Sequence, residues 1–71
     1  MPDQQFSIAL RGYAINDVDA LVRTVNRALG SEDPSAREAA ASAVRAPLRT
    51  SFRGYDRAQV DAWRERVAAR L

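Results

Sequence analysis

The sequence contains no cysteine, no histidine and no lysine. Because cysteine is absent, neither a disulfide nor a thiolate zinc site can hold the chain together, and the packing of apolar side chains has to stabilise it. The same absences remove the usual general base, the thiolate nucleophile and the Schiff-base amine. We therefore predict a protein that is not an enzyme and that has no catalytic residue, no cofactor and no metal ligand.

Long apolar runs are also missing, and the chain opens at Met1 without the basic and apolar leader of a secreted protein. We therefore expect a cytoplasmic protein. Its 71 residues allow one domain, since a chain of this length buries roughly 60–65% of the surface that it exposes when unfolded. A core this small favours extra packing across a subunit interface, and we expect a homodimer.

The charge of the chain is weakly positive. Eleven arginines against nine acids give a net charge of +2. The acids are interspersed with the arginines, whereas nucleic-acid-binding proteins usually concentrate their positive charge in a patch or stripe. A small arginine-rich nucleic-acid-binding protein is therefore the alternative interpretation, and nucleic acid is not the partner that we favour.

The sequence repeats itself with an offset of 42 residues. The string LRGYAINDVDALVRTVNRAL, at 10–29, aligns with FRGYDRAQVDAWRERVAARL, at 52–71. We place repeat 1 at about 6–29 and repeat 2 at about 48–71. The identical pairs are Arg11/Arg53, Gly12/Gly54, Tyr13/Tyr55, Val18/Val60, Asp19/Asp61, Ala20/Ala62, Val25/Val67 and Leu29/Leu71.

Each repeat carries apolar residues at the i, i+3, i+7 and i+11 positions of an amphipathic helix. We predict helices at about 17–29 and 57–71, and an alanine-rich connecting helix at about 34–46. The fold class is therefore all-α, with three short helices in a single domain at 1–71, built from two loop-helix repeats plus the connecting helix. The predicted core residues are Val18, Leu21, Val25, Leu29, Val60, Trp63, Val67 and Leu71.

The Arg-Gly-Tyr bends are predicted to start the helices. Glycine there can adopt positive φ without a Cβ clash. Asp56 is the expected N-cap of the third helix, with Gln59 as its capping-box partner, and Asn16 is the expected cap of the first. The structural residues of the turns and helix starts are Gly12, Tyr13, Asp19, Gly54, Tyr55, Asp56 and Asp61.

Two further predictions concern individual side chains. The first helix carries Val22 where the third carries Arg64, so the first should be more buried and Arg64 should be exposed. Asp19 and Asp61 have no second acid, histidine or cysteine at metal-ligand spacing, and we expect them to be structural. Each carboxylate could bond an arginine of the turn, a tyrosine hydroxyl or a loop amide.

The repeated string resembles a known family. Phe52-Arg53-Gly54-Tyr55-Asp56, followed by Gln59-Val60-Asp61-Ala62-Trp63, resembles the N-terminal domain of DivIVA, a bacterial family that targets cell poles and division septa. Leu10-Arg11-Gly12-Tyr13 with Val18-Asp19-Ala20-Leu21 is a second match. The chain thus has two tandem copies of the motif, which with their lead-ins cover about two thirds of it, and no long coiled coil.

The resemblance implies a dimerising, membrane-associated scaffold module without catalytic activity, linked to bacterial cell division or polar growth. In that family the aromatic residue and the arginine before the glycine lie at the tip of a loop that touches the membrane. The tip residues here would be Leu10, Arg11, Phe52 and Arg53, at the inner face of the membrane. From the residues alone we favour core positions for Leu10 and Phe52, because a small domain needs its large apolar side chains inside.

We therefore expect a non-catalytic adaptor that binds itself or another DivIVA-like protein, with weak peripheral membrane contact. Two arrangements of the repeats are open. They can pair within one chain, as an internal mimic of the family's dimer, or each can pair with its equivalent in a second chain. We favour the second arrangement.

Overall fold

The computed structural model describes residues 6–71, which form three helices and a two-stranded antiparallel sheet. The elements are β1 (Ile8–Leu10), α1 (Ile15–Leu29), α2 (Pro34–Arg45), β2 (Arg53–Tyr55) and α3 (Arg57–Ala68). The all-α prediction is therefore wrong. Backbone N–H and C=O groups that approach the core need partners, and here the segments predicted as loops satisfy one another as strands.

The strands join the two repeats in a crossed arrangement. The lead-in of repeat 1 is β1, and it pairs with the Arg-Gly-Tyr segment of repeat 2, so that Ile8 lies opposite Tyr55. The residues at the equivalent positions of the opposite repeats form a matching bridge, in which Thr50 lies opposite Tyr13. The two repeats therefore pair within one chain, around a pseudo-twofold axis, and this is not the arrangement between two chains that we favoured from the sequence.

Tyr13 and Tyr55 lie on this axis. Each donates its backbone N–H to the carbonyl oxygen of the other, at 2.9 Å in both directions. Farther out, the N–H of Asp56 donates to the Ser7 carbonyl and the N–H of Ala14 donates to the Arg49 carbonyl, both at 2.8 Å. Equivalent bonds of equal length show that the two repeats pair with the same geometry on both sides of the axis, although their residues differ.

Glycine is required at positions 12 and 54 because the backbone of the other repeat leaves no room for a side chain there. The prediction of positive φ at these residues is wrong, because no described glycine has it. Instead, a Cβ on Gly12 would overlap the carbonyl oxygen of Tyr55, and a Cβ on Gly54 would overlap that of Tyr13. The absence of a side chain lets the two segments of the chain cross near the axis.

The helix ends differ from the prediction in several places. Helix α1 begins at Ile15 with Ala14 as an N-cap that offers no side-chain bond, so the prediction of Asn16 as cap is wrong. Asp56 does cap α3, accepting from the N–H groups of Ala58 and Gln59. Gln59 makes no capping box, because its Oε1 accepts from the Ser7 N–H at 2.7 Å. Helices α2 and α3 end at Arg45 and Ala68, before the predicted ends.

One core lies between the three helices. Helix α1 contributes five buried residues and α3 contributes three, so α1 is the more buried. Of the predicted core residues, Leu29 and Leu71 are only partly buried at its edge. Helix α2 adds Ala40 and Val44, and Phe6 packs with its ring centroid 5.9 Å from that of Trp63. The other predicted core residues are buried: Val18, Leu21, Val25, Val60, Trp63 and Val67.

Replacing either axial glycine should unfold or strongly destabilise the protein. Gly12→Ala and Gly54→Ala each force a methyl group into a backbone carbonyl, which we expect to lower the free energy of unfolding by at least about 3 kcal/mol. Urea denaturation followed by circular dichroism measures the change. Gly30→Ala is the matched control, because its Cβ would lie at an ordinary van der Waals distance, 3.6 Å, from the Asn26 carbonyl oxygen. Equal losses in all three variants would contradict the crossing at the axis.

Candidate functional site at the tip of the paired strands

Large apolar side chains are exposed where the strands of the two repeats meet. Phe52 is 75% exposed, Leu10 is 69% exposed and Ile8 is 51% exposed. The interpretation of Leu10 and Phe52 as core residues is therefore wrong. In β1 the side chains alternate, so Ile8 and Leu10 share the face that the helices leave uncovered. We call the set Ile8, Leu10, Arg11, Phe52 and Arg53 the tip surface.

Backbone pairing brings the tips of the two repeats together. Leu10 lies opposite Arg53 in the sheet, and the Arg11 N–H donates to the Phe52 carbonyl at 2.7 Å. The four residues that the family resemblance places at two separate tips are thus neighbours on one surface. This surface combines apolar and positively charged side chains.

Arg11 has an unusual backbone conformation. Its φ is 59°, and it is the only residue other than glycine with positive φ among residues 6–71. This left-handed conformation costs a side-chain-bearing residue about 1–2 kcal/mol. Arg53, at the equivalent position of repeat 2, lies in strand β2 and carries no such cost. The two arginines of the tip surface are therefore held differently.

Two side-chain hydrogen bonds connect the two repeats next to the tip surface. The Tyr13 hydroxyl donates to Asp61 Oδ1 at 2.8 Å, and the Tyr55 hydroxyl donates to Asp19 Oδ1 at 2.9 Å. Of the partners left open for the two carboxylates, the structure shows the tyrosine hydroxyl, in each case from the other repeat. Each bond ties the bend of one repeat to the helix of the other.

These bonds change the acidity of the tyrosines. The bond to Asp61 raises the pKa of Tyr13 above its ordinary value of 10.0, and burial and the charge of Asp61 act in the same direction. The bond to Asp19 likewise raises the pKa of Tyr55, again with help from burial and the carboxylate charge. A neutral hydroxyl is needed to donate to a carboxylate, so both contacts depend on protonated tyrosine.

A salt bridge holds the lead-in of repeat 2 against α1. Arg49 Nη2 lies 2.9 Å from Asp17 Oδ1, and the Arg49 N–H also donates to Asp17, at 3.3 Å. The Arg49 guanidinium holds the pKa of the Asp17 carboxyl below its ordinary value. In the other repeat the equivalent contact is uncharged, since Ser7 donates to Gln59. Different chemistry thus fixes the two lead-ins in the same way.

Arg64 fastens α3 to the end of α2. Its Nε donates to the Val44 carbonyl and its Nη2 donates to the Ala46 carbonyl, both at 2.8 Å. The prediction that Arg64 is exposed is wrong, because its side chain is only 17% exposed. The last carbonyl groups of a helix lack partners within it, and a guanidinium satisfies two of them here. The sequence alone does not indicate this role, because the role depends on α2 and α3 lying next to each other in the fold.

The described part of the chain offers no site for metal chemistry and no helix that could cross a membrane. No group of three or more acidic, histidine or cysteine side chains is placed to hold a metal ion in residues 6–71. Within the same range, no helix is both long enough and apolar enough to span a bilayer. The large apolar side chains that are exposed in residues 6–71 all belong to the tip surface.

Comparisons with protein-family models, with curated proteins and with solved structures found no match to this chain.

Removing the two tyrosine hydroxyls should weaken the pairing of the repeats and change its pH dependence. We expect Tyr13→Phe and Tyr55→Phe each to lower the free energy of unfolding by about 1 kcal/mol at pH 7. Because both folded-state pKa values are raised, the stabilisation is full below the ordinary tyrosine pKa of about 10 and is lost as pH rises through the folded-state values.

Chemical denaturation between pH 8 and pH 11, roughly the range in which tyrosine titrates, measures this effect. The wild-type protein should lose stability towards the upper end, and the variant lacking both hydroxyls should lose less. A double variant as stable as the wild type at pH 7, with the same alkaline profile, would show that the two tyrosine bonds contribute nothing.

Arg64 should stabilise the protein although it is a charged residue. Arg64→Ala leaves two helix-end carbonyls without a partner, and we expect it to lower the free energy of unfolding by about 1.5–3 kcal/mol. Arg66→Ala is the matched control, since Arg66 is exposed on the same helix and should change stability by less than about 0.5 kcal/mol. Thermal unfolding of both variants measures this difference. Equal stability of Arg64→Ala and Arg66→Ala would count against the role of Arg64.

Proposed function

We propose that this chain is a non-catalytic adaptor module that uses the tip surface to bind at the inner face of a membrane. The observation that supports this proposal is the exposure of Phe52 and Leu10 beside Arg11 and Arg53 on one surface. The resemblance to the DivIVA N-terminal domain, in which the corresponding residues touch the membrane, supports the same role. We extend the proposal to bacterial cell division or polar growth on that resemblance alone.

Binding strength explains why both tips are needed. Inserting one large apolar side chain is worth about 1.5–3 kcal/mol, and an arginine near anionic lipid adds about 1 kcal/mol. One tip therefore gives roughly millimolar binding or weaker. Internal pairing places the tips of both repeats side by side, so their contributions add within a single chain. Membrane binding by this route does not require a second chain.

The proposed protein partner is another DivIVA-like chain. The homodimer expected from the size of the core stays a prediction. Within residues 6–71 the helical stripes of both repeats already pack into one core, so self-association would use a different surface from the one that joins the repeats. The tip surface and the outer faces of the helices are the surfaces that remain for such contacts.

Vesicle flotation tests the proposed membrane contact. We expect the wild-type chain to float with vesicles that contain anionic lipid, and Phe52→Ser and Leu10→Ser each to reduce the bound fraction about tenfold, as the loss of one inserted side chain implies. Arg53→Gln should also weaken binding, whereas Arg66→Gln, which removes the same charge from the far end of α3, should not.

The controls separate a specific tip from general charge attraction. If Arg53→Gln and Arg66→Gln reduce flotation equally, the binding is unspecific electrostatics and the proposal fails. The proposal also fails if the wild-type chain does not float. Tight and salt-sensitive binding to random duplex DNA in a gel shift would instead favour the nucleic-acid interpretation.

A further inference from the structure

The two sides of the tip surface have equivalent positions but different chemistry. Beside Phe52 lies an open pocket of about 440 Å³, which we call the arginine pocket, lined by Arg11, Thr50, Ser51, Phe52 and Arg57. In the other repeat, the positions equivalent to these hold Arg53, Ile8, Ala9, Leu10 and Ile15. One side of the axis thus combines two arginines with two hydroxyl residues, and the other has a single arginine among apolar side chains.

The residues that line the arginine pocket carry two positive charges. None of its five lining residues is acidic. The salt bridges found within residues 6–71 join Asp17 to Arg49 and Asp61 to Arg64, and so they involve neither arginine of the pocket. The nearest acid in sequence is Asp56, whose Oδ1 accepts from the N–H groups of Ala58 and Gln59 at 2.9 and 3.4 Å. That carboxylate is engaged at the start of α3.

The backbone of Arg11 provides a second and independent observation. Arg11 is the one described residue other than glycine with positive φ, and glycine or asparagine would adopt this conformation at lower cost. Stability therefore does not explain why this position carries an arginine. Strained residues of this kind are found preferentially at ligand-binding positions, and this one lines the pocket.

We propose that the arginine pocket is an anion subsite that binds a phosphate group through Arg11 and Arg57. Guanidinium groups bind the oxygens of phosphate in pairs, with geometry that a single ammonium or hydroxyl cannot reproduce. Thr50 adds a hydroxyl at the wall, whereas the Ser51 hydroxyl already donates to the Arg53 carbonyl. The phosphate comes from a soluble phosphate ester or from a lipid headgroup, since both present the same oxygens.

This inference goes beyond insertion of the tip into a membrane. Insertion uses the apolar side chains and treats Arg11 and Arg53 alike, as positive charges near anionic lipid. An anion subsite distinguishes them, because Arg11 lines the pocket and Arg53 does not. The two proposals therefore differ in the effects that they predict for substitutions of Arg11 and of Arg53.

Pyrophosphate titration of the full chain, followed by the amide signals of 50–57 in NMR spectra, tests binding in solution. We expect saturable shifts in the wild type, weakened about tenfold or more by Arg11→Asn and by Arg57→Gln, each of which removes charge-assisted hydrogen bonds. Arg53→Gln is the matched control and should retain wild-type affinity. Asparagine tolerates positive φ, so Arg11→Asn should melt at the wild-type temperature or above it.

Flotation with vesicles of phosphatidic acid tests the second source with the same variants. Saturable pyrophosphate binding that needs Arg11 and Arg57 supports the subsite and shows that a soluble phosphate binds there without lipid. Vesicle binding that these two substitutions weaken more than Arg53→Gln does, without pyrophosphate binding, supports the subsite for a lipid headgroup. Equal effects of all three substitutions, or no binding in either experiment, would overturn it.

Discussion

The close crossing of two backbone segments, Gly12–Tyr13 and Gly54–Tyr55, is the constraint on which the rest of the structure depends. At this crossing the tyrosines exchange two backbone hydrogen bonds, and a methyl group on either glycine would enter a carbonyl of the other repeat. The crossing places the two tips on one surface and directs each tyrosine hydroxyl to the opposite helix. With the repeats paired in this way, the apolar stripes of α1 and α3 pack into one cluster of buried residues.

The residues that the two repeats share are accounted for by the pairing around the axis, so a function beyond folding is expected where the repeats differ. Asp56 caps α3 where Ala14 offers no cap, and Arg64 fastens α2 where its counterpart Val22 is simply buried. These differences stabilise neighbouring elements. The difference at the tip surface is of another kind, since the positive φ of Arg11 adds a cost instead of removing one.

The sequence predicted the repeat, the existence of three helices and the valines that fill the core, because helical periodicity is a local signal that the 42-residue offset shows twice. It did not predict the sheet, since three-residue strands carry little periodicity and pair across the repeats. The role of Gly12 and Gly54 was predicted wrongly for the same reason. Glycine is compatible both with positive φ and with close backbone approach, and only the position of the partner segment shows which of the two applies. Leu10 and Phe52 were misplaced because apolar character alone does not distinguish a core residue from an exposed tip.

The most direct test of the internal pairing is an isotope-filtered NMR experiment on labelled and unlabelled chains unfolded and refolded together. The account predicts an amide-to-amide contact between Tyr13 and Tyr55 that is seen in the uniformly labelled protein and is absent from the spectrum selected for contacts between chains. A Tyr13–Tyr55 contact found only between chains, or not found at all, would contradict it.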